Sequence, residues 1–272
     1  MRGLETTARM IALLGVLGSA SACADKKPAA TPVGGGTAGP ATAGTGQPGV
    51  GAQPQYGVVD TAPEGAPKMN AQAAALYQQA IQAWSQGNLQ RAQALFGQAA
   101  QADANAYQAH FSLGVLQERL GQQGAALASY RKSYRIVPQY DRAIVAEALL
   151  LAKTGKAPEG EQLLTRERAK RSKSLLLTTG LAEVKSLQDD STGAQQLARE
   201  ALKVDPTFAP AMLVIARDHY RNRKLDLALY SLRAMLDSSA ASPARSPNNP
   251  EAMLLRAVIY DEQDEEVAAI EA

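Results

Sequence analysis

The residues that could perform catalysis are few and far apart. His110 and His219 are the two histidines, and neither lies at the spacing of a metal-binding helix such as HExxH, so we interpret both as structural. The acidic segment 261–266, DEQDEE, lacks the glycine and ligand order of a calcium-binding loop, and a solvated turn is favoured over a calcium site. Asp189 and Asp190 also fall in a predicted turn, where paired carboxylates stay hydrated and ionised. No serine, cysteine or lysine has a plausible base nearby in sequence. We therefore predict no enzymatic activity, no metal and no cofactor.

Signals for nucleotide or nucleic-acid binding are equally weak. The dinucleotide pattern GxGxxG occurs at residues 34–39 and 44–49, but no predicted strand precedes either match and no predicted helix follows it. The formal net charge is only +2, whereas nucleic-acid binding normally requires a strongly basic face. We expect no nucleic-acid partner.

The single cysteine, Cys23, indicates lipid attachment. It follows a charged region with Arg2 and Arg9, an apolar stretch at residues 10–17 that is too short to span a bilayer, and the small residues GSASA. A lone cysteine in an exported protein has no partner for an internal disulfide. Residues 1–22 are therefore predicted to be a lipoprotein export signal. The alternative is a chance cysteine at the end of an ordinary secretory signal.

This arrangement resembles the bacterial lipobox, although Ala20 replaces the leucine that is usual three residues before the cysteine. The resemblance implies cleavage before Cys23, diacylglycerol on its thiol and an acylated amino terminus, which would anchor the protein in a membrane. In such lipoproteins, an aspartate directly after the cysteine causes retention at the inner membrane. Because Ala24 stands there, we expect an outer-membrane lipid anchor that faces the periplasm.

Residues 23–70 form a predicted disordered tether between this anchor and the fold. Proline, glycine, alanine and threonine dominate the segment, which has no hydrophobic period, so nothing offsets the entropy lost on ordering it. Such a chain would span about 35 to 40 Å on average. The folded part could therefore search a volume next to the membrane.

From about residue 71 the sequence repeats with a step of 34 residues. Small residues recur at two positions of the repeat, namely Ala80, Gly114, Ala148, Ala182 and Ala216, and then Ala92, Ala126, Gly160, Ala194 and Ala228. A third position is mostly bulky and carries Phe96, Tyr130, Leu164, Ala198 and Leu232. Glycines at 87, 121 and 155 keep the same step, and the prolines at 138 and 206 are two steps apart.

This period and these residue types resemble the tetratricopeptide repeat, whose units are pairs of antiparallel helices, A and B, stacked into a right-handed superhelix. The units would start near Ala73, Tyr107, Asp141, Leu175, Ala209 and Pro250. Counted from each start, the small residues fall at places 8 and 20 and the bulky residue at place 24. Small residues let the two helices approach closely, and the bulky residue fills the gap between them. The expected fold is an all-α solenoid with five units over residues 71–241, an inserted loop over 242–249 and a partial sixth unit over 250–272. The sixth unit would turn at the acidic segment.

The resemblance also implies a binding groove on the concave side, formed by helix A at places 2, 5, 9 and 12. The candidate groove residues are Tyr77, Ile81, Trp84, Phe111, Val115, Arg142, Val145, Leu149, Leu213, Arg217 and Tyr220. An apolar and aromatic stripe that a lone solenoid exposes predicts a surface for an extended or helical protein segment. Two alternatives are that Trp84 and Tyr220 pack internally, or that the tether folds back over the groove.

A basic segment, RERAKRSK at residues 166–173, ends the second helix of the third unit. It could meet an acidic partner or anionic lipid headgroups. The favoured interpretation is a solvated helix end, with cations at the negative end of the helix dipole.

The expected function is a protein-interaction scaffold that binds other envelope proteins through the concave face. The lipobox, the tether and the Ala/Gln-rich repeats resemble lipoproteins of the myxobacterial gliding motility machinery. The alternative is a pilotin or assembly adaptor for a secretin, a type IV pilus or cell-wall enzymes. No polar cap is recognisable after residue 250. We therefore expect either that a partner covers this end or that the chain continues, in which case an enzyme with a further catalytic domain is a third possibility.

Overall fold

The computed structural model describes residues 62–237 and the backbone of residues 246–271, with side chains described through Gln263. The predicted export signal, Cys23, the tether up to residue 61 and residues 242–245 of the predicted inserted loop lie outside these ranges. The described residues form eleven α-helices and no strand. The helices are α1 (Ala71–Ser85), α2 (Leu89–Ala102), α3 (Tyr107–Arg119), α4 (Gln123–Ile136), α5 (Asp141–Lys153), α6 (Ala157–Lys170), α7 (Leu175–Leu187), α8 (Ser191–Val204), α9 (Ala209–Arg221), α10 (Leu225–Leu236) and α11 (Pro250–Glu271). Odd-numbered helices are the A helices of the repeat and even-numbered helices are the B helices.

Each pair of helices folds into a hairpin because the connecting turn contains a residue with left-handed backbone. Gly87, Gly121 and Gly155 have φ values of +76°, +74° and +83°. At the same place in the next two units, Asp189 and Arg223 have φ values of 64° and 58°. Glycine adopts this conformation without steric cost, whereas other residues do not. All five hairpins therefore use the same turn, although only three of them have glycine there.

The small residues lie where helix A and helix B of one unit meet. Ala80, Ala148, Ala182 and Ala216 are fully buried. A Cβ atom added to Gly160 on α6 would lie 2.5 Å from the carbonyl oxygen of Ala148 on α5, so the two backbones are nearly in contact. This close approach is the packing that the repeat predicted, and the expectation of an all-α solenoid is confirmed.

Aromatic side chains join the second unit to the third. The rings of Tyr107 and Tyr140 lie 4.9 Å apart, and the ring of Phe111 lies 5.4 Å from Tyr140 and 5.9 Å from Tyr130. All four side chains are almost completely buried. Since the rings come from α3, α4 and the turn before α5, the core is continuous across the unit boundary.

Residues 62–70, assigned above to the tether, lie against the solenoid. Ala66 packs on the aromatic cluster of the second unit, and Met69 packs on Ala99, Ala106 and Ala109. Asn70 donates from its backbone to Asp103 Oδ2 at 2.6 Å and caps α1 by accepting from the Ala73 amide. The structure thus corrects the predicted boundary at residue 70, because the ordered packing begins before it.

The last helix also differs from the prediction. The sixth unit was expected to turn at residues 261–266, but α11 continues without interruption from Pro250 to Glu271. Residues 261–271 contain neither glycine nor proline and are mostly glutamate, glutamine and alanine, which favour helix. Local helix propensity therefore determines the structure here, and the turn that the 34-residue repeat predicted does not form.

Candidate protein-binding surface

The repeat places equivalent residues of successive A helices side by side. We call the surface formed by places 2, 5, 9 and 12 of the A helices the helix-A face. Direct bonds link residues of this face to side chains beside it on the next unit: Tyr77 Oη lies 3.1 Å from Ser112 Oγ, and Glu118 Oε1 lies 3.0 Å from Lys153 Nζ. The face is therefore held by the scaffold, and side chains on it have defined positions.

Most of the predicted groove residues are covered, which corrects the expectation of an exposed stripe. The following residues are at most 8% exposed: Phe111, Val115, Arg142, Val145, Leu149, Leu213 and Tyr220. Tyr77, Ile81, Trp84 and Arg217 are half-buried.

Neighbouring units and the segment before α1 account for much of this burial. Phe111 stands edge-on to Tyr140, and Ala66 packs against the same cluster. Val145 contacts α7 so closely that a Cβ on Gly180 would lie 2.8 Å from its methyl group. Both alternatives raised by the sequence thus hold in part, since Tyr220 packs internally and Ala66, which was assigned to the tether, packs on the cluster that contains Phe111.

An aromatic part of the helix-A face remains partly accessible on α1, and we call it the aromatic patch; it is formed by Tyr77, Ile81 and Trp84. Their spacing of four and three residues puts all three on one side of the helix. Phe96 on α2 supports the patch from below: its ring lies 5.8 Å from Trp84 in an edge-on arrangement and 5.4 Å from Tyr77. Because these rings are held by packing, binding to them would cost little side-chain entropy.

The C-terminal part of the helix-A face is an ionic network. Arg217 on α9 lies between two carboxylates, 3.5 Å from Glu183 on α7 and 2.5 Å from Glu251 on α11. Arg221 also pairs with Glu183 and donates to Ser186 Oγ at 2.8 Å. These contacts connect the A helices of the fourth, fifth and sixth units.

The charges in this network stabilise one another. Burial raises the pKa of Glu183, but the charges of Arg221 and Arg217 outweigh burial and bring that pKa below its usual value. Burial likewise lowers the pKa of Arg217, and the charges of Glu251 and Glu183 raise it above its usual value. Tyr220 donates to Glu262, and its pKa is raised by burial and by this hydrogen bond.

Of this network, the predicted site included only Arg217 and Tyr220. The signal for Glu183 was present in the sequence, because Glu183 and Arg217 carry opposite charges one 34-residue step apart. Equivalent places in adjacent units are neighbours in a solenoid. Opposite charges at that step therefore predict an ion pair.

The basic segment 166–173 is largely neutralised. Glu167 pairs with Arg166 at 3.1 Å and with Lys170 at 2.9 Å. Arg171 Nε lies 2.9 Å from Asp141 Oδ1, and its Nη1 donates to the Pro138 carbonyl at 3.1 Å. These contacts fix the end of α6 and favour the interpretation of a structural helix end.

The two histidines also have structural surroundings. His110 and His219 each have a buried Nδ1 atom without a hydrogen-bond partner among the described residues. Burial lowers the pKa of both imidazoles, so the neutral form is favoured. In residues 62–237 and 246–263, no three histidine, cysteine or acidic side chains are grouped as a metal site would require. None of the described helices is long and apolar enough to cross a membrane.

The helical hairpins define the class of protein, which is an α-helical repeat solenoid with a partly accessible aromatic patch on one face. Comparison with known proteins agrees. The family model described as "Tetratricopeptide repeat" matches residues 77–141 and 213–272. These two stretches of the chain are thus similar to tetratricopeptide repeats. No curated protein matches the chain at a significant level.

Solved structures show the same fold. A tetratricopeptide repeat protein from Parabacteroides merdae is 18% identical, with 71% of this chain and 73% of that chain covered and a TM-score of 0.56. A thermophilic tetratricopeptide repeat protein from Thermus thermophilus is 16% identical, with coverage of 69% and 98% and a TM-score of 0.55. PilW, a type IV pilus biogenesis factor, is 17% identical, with coverage of 74% and 90% and a TM-score of 0.51. At these identities the likeness concerns the fold alone.

Proposed function

We propose that this protein is a scaffold of the bacterial envelope that is anchored in the outer membrane by a lipid on Cys23 and holds a partner protein on its helix-A face. The observation that carries the binding part is the aromatic patch of Tyr77, Ile81 and Trp84. Half-buried aromatic side chains in fixed positions are the residues that dominate binding energy in protein interfaces.

The chemistry of the patch indicates what it binds. Tyr77 and Trp84 each offer an apolar ring with one polar group, and Ile81 lies between them along α1. A partner segment with two or three apolar side chains at helical or extended spacing would cover this surface. The partner therefore contributes an apolar segment rather than a charged terminus.

The ionic network has a different part in this function. Its three guanidinium groups, on Arg217, Arg221 and Arg223, face the three carboxylates of Glu183, Glu251 and Glu262. Since the charges balance within the protein, the network presents no net charge to a partner. It holds the A helices of the last three units in register and keeps the helix-A face rigid.

The N-terminal sequence supports the anchoring part of the proposal. The lipobox-like residues before Cys23 and the long proline- and glycine-rich segment after it would place the solenoid at variable distances from the membrane. Machinery for gliding motility is the envelope complex whose lipoproteins this layout resembles. Assembly of a secretin, a type IV pilus or cell-wall enzymes is the alternative setting.

Copurification from the native envelope tests the binding site. Trp84→Ala removes the largest ring of the patch and should reduce recovery of the partner at least tenfold, while helicity remains. Val204→Ala is the matched control, because Val204 is 69% exposed on α8 and lies outside the helix-A face. Equal recovery with both variants would exclude the aromatic patch.

The anchor is tested separately by labelling cells with radioactive palmitate. Cys23→Ala should remove the label and release the protein from the membrane fraction. Label that persists in the variant would contradict lipid attachment at this residue. The two experiments are independent, so a correct groove and an incorrect anchor can be told apart.

A further inference from the structure

The outer sides of three B helices carry a concentration of positive charge. Place 29 of the repeat follows places 25 and 26 by four and three residues, so the three places lie on one side of helix B. We call these places on α4, α6 and α8 the basic face. All nine of its residues are exposed, and they are Arg131, Lys132, Arg135, Thr165, Arg166, Ala169, Arg199, Glu200 and Lys203.

The charge of the basic face is a local property of the middle three units. The face has six cations and one anion, and therefore a net charge of +5. At the same three places, α2 has no charged residue, and α10 has one cation, Arg233, and one anion, Asp237. Since the formal net charge of the whole chain is +2, all residues outside the basic face together carry a charge of −3. Positive charge is thus separated onto this face.

Contacts between the three helices show that the basic face is continuous. Arg168 on α6 pairs with Glu200 on α8. After the end of α6, Arg171 Nη1 donates to the carbonyl of Pro138, two residues after the end of α4, at 3.1 Å. Three neighbouring B helices therefore present one surface.

Only part of this charge is neutralised by the described residues. Arg131 Nε lies 2.7 Å from Glu147 Oε1. Arg166 Nε lies 3.1 Å from Glu167 Oε1. The other four cations form no ion pair with a carboxylate of the described residues, and they are Lys132, Arg135, Arg199 and Lys203. These four charges are available to a ligand outside the protein.

The dipoles of the helices do not account for the basic face. The negative end of a helix stabilises a cation only within the last turn. Of the six cations, Arg135 on α4 and Lys203 on α8 lie in a last turn. The other four precede the last turn of their helices. Stabilisation of helix ends therefore explains only a minority of them.

We propose that the basic face binds the surface of a membrane that contains anionic phospholipids. Protein interfaces have a core of aromatic and large apolar side chains, and the nine residues of the basic face include none. A layer of anionic headgroups instead attracts a surface on which several lysines and arginines lie together. The contact would turn the B helices toward the membrane and leave the helix-A face free for a partner. It requires neither the lipid on Cys23 nor the aromatic patch.

Cosedimentation with vesicles tests the proposal. The purified full chain carries Cys23→Ala, so that no lipid can be attached at that residue. The vesicles contain phosphatidylcholine alone or an equimolar mixture with phosphatidylglycerol. The protein should bind only the mixed vesicles, and binding should decrease as the salt concentration rises. Adding Lys132→Gln with Arg199→Gln removes two cations that have no ion pair and should weaken binding by about tenfold or more.

The matched control is Arg91→Gln with Lys224→Gln, also in the Cys23→Ala chain. It likewise removes one arginine and one lysine that are exposed, but these lie on α2 and before α10. The control should bind the mixed vesicles like the chain with Cys23→Ala alone. Equal weakening by both double variants would overturn the proposal, as would absence of binding to the mixed vesicles at low salt.

Two further results would assign the basic face to another ligand and make the lipid assignment wrong. The first is binding of polyglutamate, but not of the mixed vesicles, that Lys132→Gln with Arg199→Gln abolishes, because it would indicate an acidic protein. The second is release from the vesicles by inorganic phosphate but not by chloride at the same ionic strength, because it would indicate a site for free phosphate. The aromatic patch and Cys23 are tested separately by copurification and palmitate labelling.

Discussion

Replacing Gly160 by alanine tests the close approach of helices on which the solenoid depends. Alanine is favoured over glycine inside a helix by about 1 kcal/mol. At Gly160, however, the new Cβ would lie 2.5 Å from the carbonyl oxygen and 3.2 Å from the carbonyl carbon of Ala148. Backbone atoms cannot rotate away, so α5 and α6 must separate, and overpacking of this kind costs about 1 to 3 kcal/mol. The clash should prevail at this backbone contact, with a net destabilisation of up to about 2 kcal/mol.

Gly97 on α2 is the matched control, because nothing lies within 4 Å of its added Cβ. Gly97→Ala should stabilise the protein by about 1 kcal/mol through helix propensity alone. The assay is urea and thermal unfolding followed by circular dichroism at 222 nm, in which 1 kcal/mol corresponds to about 2 to 4 °C for a domain of this size. If both variants are stabilised equally, the helices do not approach as closely as described and the reasoning fails.

Three further predictions concern the turns, the ionic network and the histidines. Asp189→Gly should stabilise the protein by about 1 kcal/mol, because φ is +64° there and glycine removes the left-handed strain; an unchanged urea midpoint would contradict this. Glu183→Gln should destabilise it by about 1 to 2 kcal/mol at pH 7, because two guanidinium groups lose a buried partner; chemical unfolding against the parent chain measures the loss. Stability should fall as the pH drops below about 6.5, because the pKa values of His110 and His219 are lowered in the folded state and the unfolded state then binds more protons. Replacing both histidines by glutamine should therefore flatten the dependence of the melting temperature on pH. An unchanged slope would refute the assignment of this dependence to the histidines.

The fold could be predicted because the residue types that recur every 34 positions are those that the packing of the helical hairpins requires. Places 8 and 20 must be small for the hairpin to close, and the turn position of Gly87, Gly121 and Gly155 must adopt positive φ. The residue types at these positions therefore follow from the structure. The A helices of units two to five begin at Tyr107, Asp141, Leu175 and Ala209, which are the starts that the step predicts. The sixth A helix begins at Pro250, the start expected after the predicted inserted loop. The continuous α11 was not predictable from the period, since local helix propensity decides between a turn and a longer helix there.

The candidate site was less predictable because exposure depends on neighbours that the repeat does not specify. Phe111 has the right place for a groove residue but packs on Tyr140, so Phe111→Asp would disrupt the core rather than test binding. Glu183 was missed because an apolar pattern does not reveal ion pairs between distant residues. Trp84 and Ile81 remained accessible because they belong to the first unit, which has no preceding helical hairpin among the described residues.

Site-specific photocrosslinking in the native envelope tests the central claim that the helix-A face binds a partner. A photoreactive phenylalanine derivative replaces Gln78, an exposed residue on α1 one turn from Ile81, or Gln196, an exposed residue on α8. The account predicts that the probe at residue 78 crosslinks a defined protein that the probe at residue 196 does not reach. Identical crosslinks from both positions, or none from residue 78, would contradict it.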